Sequence, residues 1–115
     1  MIYTSYFAKY KGNQGVAICL WLPTWVKNIE HYPALAPTKE ILERWNKSNK
    51  TEEDIRIYSE AYKKEILNKL DVHKVAQELN DKVLLCYERP TDFCHRHLVR
   101  EWLNSAGYEC KEMTY

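Results

Sequence analysis

The spacing of apolar and polar positions changes several times along the chain, and each change marks an element. Ile2-Tyr3-Thr4-Ser5-Tyr6-Phe7 is rich in β-branched and aromatic residues and predicts a strand. Lys11-Gly12-Asn13-Gln14-Gly15 carries a turn signal. Val16 to Leu22 is then a continuous apolar run, short enough for a strand buried on both faces. From 23 to 37 no period fits. Pro23, Pro33 and Pro37 stand among Trp25, His31 and Tyr32, and an irregular stretch of this kind reads as a binding loop or lid.

Helical spacing follows. Thr38 suits the cap of a short helix through Asn46, and Lys47-Ser48-Asn49-Lys50 is a polar break. Thr51 with Asp54 three residues later has the form of a capping box. The helix behind it carries Ile55, Tyr58, Tyr62 and Ile66 on one stripe. Asp71 is placed to cap a helix over Val72 to Leu79. Val83-Leu84-Leu85-Cys86-Tyr87 predicts another buried strand, with Glu88-Arg89-Pro90-Thr91 as its exit loop. Thr91 or Asp92 caps the next helix, which runs to about Ala106, and Gly107 suits the left-handed residue past its end. Tyr108 to Met113 alternates and predicts a final edge strand. Strands interleaved with helices predict an α/β fold in one domain, 1–115. The expected form is a three-layer sandwich, Rossmann-like or flavodoxin-like, whose small, mainly parallel sheet is flanked by helices.

Charge narrows the function classes. Among 115 residues, 17 Lys+Arg face 16 Asp+Glu, so nucleic acid, if it is a partner, is not held by bulk charge. The longest apolar run is far short of the roughly 18 residues that a membrane span needs. The N-terminus has no basic-then-apolar leader, so the expected location is the cytoplasm and the four cysteines are expected as reduced thiols. What stands out is the aromatic content: nine Tyr, four Trp and two Phe.

Candidate chemistry concentrates between Cys86 and Arg96, where a buried strand leads into the first turn of a helix. Open α/β sheets bind ligands at the carboxyl ends of their strands, and a helix start there favours anions. Arg89, His95 and Arg96 are therefore candidate ligand-binding residues, with Tyr6, Trp25, Tyr32 and Tyr87 as aromatic partners for a base. Turning the helix by about 100° per residue puts His95 near its apolar face, Cys94 and Arg96 on opposite flanks, and His97 and Arg100 toward solvent. If the protein is an enzyme, Glu88 is the candidate acid/base and Cys94 the candidate nucleophile. Cys94 and Arg100 have the spacing of a phosphatase loop, but the residues between them read as helix rather than as an open phosphate cradle. Zinc is set aside as well. Cys86 and Cys94 are farther apart than the usual tight pair, and adjacent Cys94 and His95 make awkward joint ligands on a helix. No metal and no cofactor is expected.

Leu84-Leu85-Cys86-Tyr87-Glu88-Arg89-Pro90, Phe93-Cys94-His95-Arg96-His97-Leu98-Val99 and Glu101-Trp102-Leu103 together resemble the hallmark of the domain of unknown function family 488. The start of the chain, Leu35-Ala36-Pro37 and the Tyr58 to Leu70 stretch resemble it too. The resemblance implies a small intracellular α/β domain of bacteria, archaea and their mobile elements, phage included. Its signature positions map to Cys86, Glu88, Pro90, Cys94, His95 and Arg96. Cys19, Trp21 and Leu22 depart from the small, basic or glycine-containing positions expected there. The resemblance brings no established reaction.

Three function classes stay in view. The first is a binder of a small phosphate-bearing ligand, such as a nucleotide or nucleotide-derived signal, at the sheet edge beside 86–96. The second is an enzyme acting on a nucleotide, nucleoside or nucleic-acid base. The third is a protein-interaction module in which the Cys-His-Arg segment is only a structural clasp. Oligomeric state is not legible from the sequence.

Overall fold

A computed structural model of the chain describes residues 1–89 and 92–115. Among the described residues, β1 (Ile2–Tyr6), β2 (Gly15–Ala17), β3 (Glu30–His31), β4 (Val83–Cys86) and β5 (Cys110–Glu112) form one sheet in the order β3-β2-β4-β1-β5. Every pairing is parallel. The helices α1 (Lys39–Lys47), α2 (Glu52–Glu65) and α3 (Val72–Glu78) lie between β3 and β4, and α4 (His95–Ser105) joins β4 to β5. None of these is long and apolar enough to cross a membrane.

Strand alternation divides the core in two. Ile2, Val16, Ile18 and Leu84 share one cluster with Ile41, Tyr58, Tyr62, Val75, Leu98, Val99 and Leu103, so all four helices cover the same face. Phe7, Ala17, Val83 and Leu85 form the second cluster, coated by Tyr10, Val26 and Ile29 from the loops that follow β1 and β2. The chain is an α/β sandwich with a parallel sheet. Its third layer is loop rather than helix, because the β1–β2 and β2–β3 connections cross that face without a helical segment.

Local signals set most boundaries. Thr38 Oγ1 accepts from the Ile41 N–H, and Asp71 accepts from the N–H groups of His73 and Lys74. Thr51 and Asp54 form the reciprocal capping box. Gly107 takes φ 94°, the left-handed conformation that lets the chain leave α4. Tyr58 and Tyr62 are buried as the α2 stripe requires, and the Tyr62 hydroxyl donates to Leu35 O at 2.6 Å.

Three expectations change. The apolar run is a strand only over Gly15–Ala17, and Trp21 and Leu22 swing outward with Trp21 57% exposed. The proline-rich stretch is not wholly irregular, since it contains β3 and a single 3-10 turn over Pro33–Leu35. Finally, α4 begins at His95 with Cys94 as its cap residue, so Asp92 is not the cap. The expectations for Pro90 and Thr91 fall outside the described residues.

Candidate functional site

The strand order locates the site. From β2 the chain moves outward to β3, whereas from β4 it crosses β1 to reach β5. Connections that leave neighbouring strands in opposite directions open a crevice at their carboxyl ends. A cleft of about 280 Å³ sits at that point. Cys19, Leu20 and Trp21 continue from β2 to form one wall. Cys86, Tyr87 and Glu88 come from the end of β4, Phe93, Cys94 and His95 from the entry to α4, and Trp45 and Tyr58 from α1 and α2.

Aromatic side chains shape the walls. Phe93 packs against Trp45 and Tyr58 with ring centroids 5.2 and 5.1 Å apart. At the mouth, the Tyr87 hydroxyl donates to Trp21 O at 2.8 Å and ties the two strand exits together. Glu88 is half-buried in this setting, and no cation among the described residues forms an ion pair with it. Burial raises its carboxyl pKa and the charge of Asp92 adds to the effect, opposed by its own backbone N–H and by the charge of Arg96. Burial also pushes the Cys19 thiol up to about 11.

Cys86, Cys94 and His95 make the floor. His95 is buried, and its Nε2 donates to Ile18 O at 2.7 Å. Burial lowers its pKa to about 4, so the ring is neutral near pH 7. The other ring nitrogen, Nδ1, lies 3.8 Å from Cys94 Sγ. Cys86 and Cys94 are joined as a disulfide, whereas Cys19 and Cys110 are free, so the expectation of reduced thiols holds only for the latter pair. The helical projection fails at Cys94 for a simple reason. As cap residue it is extended, at φ −149° and ψ 146°, and this backbone lets its sulfur reach the end of β4. The two sulfurs and His95 Nδ1 lie within 4.8 Å of one another, a grouping that could hold a metal ion and that the adjacency argument against zinc did not foresee.

Arg96 belongs to a different arrangement. Its side chain has 0% exposure and makes a bidentate pair with Glu112 of β5, Nε to Oε1 at 3.1 Å and Nη2 to Oε2 at 3.0 Å. Nη1 donates to Glu88 O at 2.6 Å and to Cys86 Sγ at 3.1 Å. Thr4 Oγ1 also donates to Glu112. Burial opposes ionisation of Glu112, but the hydrogen bonds from Arg96 and Thr4 and the charge of Arg96 outweigh it and hold the carboxyl below its ordinary value. Arg96 thus fastens the exit of β4 to β5. Sequence reading missed Glu112, and nothing local marks a partner on a distant strand.

The remaining candidates scatter. Tyr87 lines the cleft, and Arg89 is exposed on the loop beside it. Tyr6 sits under the Arg96 guanidinium at 5.8 Å and edge-on to Tyr115. Trp25 packs edge-on to Phe7 on the loop-coated face, and the Tyr32 hydroxyl donates to Glu78 at 3.3 Å. None of these three lines the cleft. Beside Tyr87, its aromatic walls are Trp21, Trp45, Tyr58 and Phe93, none of them among the aromatic candidates of the sequence. His97 and Arg100, expected at the solvent face, are half-buried, with Arg100 Nη1 3.0 Å from His97 Nδ1.

Residues 2–107 match the family described as the active DUF488-N3 subclade. The chain belongs to this family. No curated protein and no solved structure matches it. The match runs through both strands that open the cleft, through 86–96 and through the whole of α4, so the cleft is built almost entirely from the DUF488-N3 region.

Proposed function

We propose that the cleft binds the base of a nucleotide or nucleotide-derived ligand, with Glu88 as its polar anchor. The observation that carries this reading is a half-buried carboxylate without an ion-pair partner among the described residues, surrounded by aromatic rings at the switch point of a parallel sheet. Aromatic walls favour a flat heterocycle, and a carboxylate accepts paired N–H donors from its edge. The volume, at the small end for ligand sites, suits a base with its sugar better than a dinucleotide. Phosphate would lie toward the loop, where the first turn of α4 leaves N–H groups without helical partners and Arg89 is exposed.

Isothermal titration of a panel of nucleosides and nucleotides tests this reading. One class should bind saturably, and Glu88→Gln should weaken it about 10–100-fold, the worth of a hydrogen bond to a charged group, while the fold is retained. A flat panel, or binding indifferent to Glu88→Gln, overturns it. The same panel addresses catalysis, which the raised pKa of Glu88 inside the cleft favours as a second reading. An enzyme acting on a nucleotide, nucleoside or base consumes the bound compound, and Glu88→Gln stops turnover. Cys94 joins such chemistry as a nucleophile only once its disulfide is reduced.

A further inference from the structure

The floor of the cleft carries more than a binding site needs. Three donor atoms of the types that bind zinc converge there from two elements, Cys86 Sγ from the end of β4 and Cys94 Sγ and His95 Nδ1 from the entry to α4. We propose that, in the dithiol form, these three atoms bind one divalent cation of the zinc class, leaving the fourth position open to the cleft.

Tetrahedral zinc with Zn–S near 2.3 Å and Zn–N near 2.0–2.1 Å sets its donors roughly 3.5–3.8 Å apart. Cys94 Sγ and His95 Nδ1 already stand at that spacing, 3.8 Å apart, and reduction frees the two sulfurs, bonded to each other here, to separate to it within a group that spans at most 4.8 Å.

The surroundings of the trio match a metal site. A ligating histidine usually donates its second ring N–H to a carbonyl or carboxylate, which fixes the tautomer. Ile18 O can only accept, so Nε2 of His95 carries the proton and the neutral ring offers the Nδ1 lone pair to the sulfurs. Arg96 Nη1 donates to Cys86 Sγ at 3.1 Å, a bond that supports a thiolate. All three ligands are buried and all line the cleft. Three protein ligands with one position facing a cavity is the form of a catalytic zinc site, where a water or a ligand atom completes the tetrahedron. Binding converts two thiols to thiolates and releases two protons, so the reduced protein needs no other reactant.

The inference stands whether or not a nucleotide enters the cleft. It is tested on the full chain, reduced with a phosphine, freed of small molecules and titrated with Co²⁺ under argon. The expected result is one Co²⁺ per chain with thiolate-to-cobalt charge-transfer absorption and tetrahedral visible bands, and displacement by Zn²⁺. Cys86→Ser and Cys94→Ser should each abolish the charge-transfer band or weaken binding beyond the roughly 10–100-fold that loss of an outer-shell partner costs. Cys19→Ser and Cys110→Ser should leave it intact. Zn²⁺ should also shield Cys86 and Cys94, and no other cysteine, from alkylation as mapped by mass spectrometry, a readout that needs no variant. Reduced, folded protein that takes up no stoichiometric Co²⁺, or uptake that survives both serine variants, overturns the proposal. A nucleotide titration of the oxidised protein keeps that outcome separate from the fate of the base-binding reading.

Discussion

His95 and Arg96 are consecutive, and both are buried, yet they serve two regions built on different principles. His95 faces the cleft, where donors and a carboxylate are only partly used by the protein itself: Nδ1 has sulfur neighbours, and Glu88 has no ion-pair partner among the described residues. Arg96 faces the ion pair behind it, where Glu112, Glu88 O and Cys86 Sγ take up its guanidinium. Spare capacity marks the region proposed to meet a ligand, and saturation marks the region that holds it in place. The contrast guards against treating every charged residue near a helix start as a ligand contact.

The widest test of the contrast is Arg96→Met. It removes the bidentate partner of the largely buried Glu112 carboxylate and leaves Arg100, at 3.9 Å, as the facing cation; breaking a buried pair costs about 3–5 kcal/mol, and Arg100 holds the loss toward the lower end of that range. Urea denaturation should therefore show a sharply lowered midpoint. Adding Glu112→Leu should recover much of the loss, since replacing both partners removes the stranded charge. A midpoint unchanged in Arg96→Met would show that the pair is not structural and reopen Arg96 as a ligand contact.

Acid acts on the same region more gently. The folded-state pKa of Glu112 lies below its unfolded value, so its contribution is complete above the ordinary carboxylate pKa of about 4.3 and is lost as pH falls through the lower folded value. Thr4, Arg96 and, at 3.9 Å, Arg100 face this carboxyl. Denaturation midpoints measured from pH 7 down to pH 3 should fall more steeply in the wild type than in Glu112→Gln. Parallel curves would remove Glu112 from the acid response. A protonated carboxyl still accepts hydrogen bonds, which keeps this effect below that of Arg96→Met.

What was legible in the sequence follows the same divide between local and distant causes. Thr38, Thr51 with Asp54, Asp71 and Gly107 act on residues within a turn of themselves, so spacing alone located them. Residues 86–88 and 93–95 of the strand–loop–helix line the cleft, because the carboxyl end of a parallel strand is a property of topology. Walls and floor were harder. Leu20 and Trp21 continue an apolar run but leave the strand to wall the cleft, where apolar character serves a cavity rather than a core. Cys94 falls inside the helix that the sequence predicts, yet its extended cap conformation turns its sulfur to Cys86 and His95. Glu112 lies on another strand, and only the folded sheet brings it to Arg96.

The tryptophans give the finest discrimination. Trp21 and Trp25 are four positions apart and similarly exposed, at 57% and 62%, so neither composition nor exposure separates them. Their surroundings do. Trp21 borders the cleft and its carbonyl receives the Tyr87 hydroxyl, whereas Trp25 leans on Phe7 at the loop-coated face. If a base enters the cleft, Trp21→Ala removes a stacking surface, for which losses of about 1–3 kcal/mol per base are typical, and affinity should drop roughly 5–150-fold. Trp25→Ala should leave affinity within about twofold, since Trp25 does not line the cleft and is separated from Tyr87 at its mouth by Phe7. Fluorescence titration of both variants with the same nucleotide reads the difference. Equal losses would mean that the ligand reaches beyond the cleft to the loop layer. A loss confined to Trp25→Ala would move the binding surface to the loop-coated face and overturn the base-binding reading of the cleft.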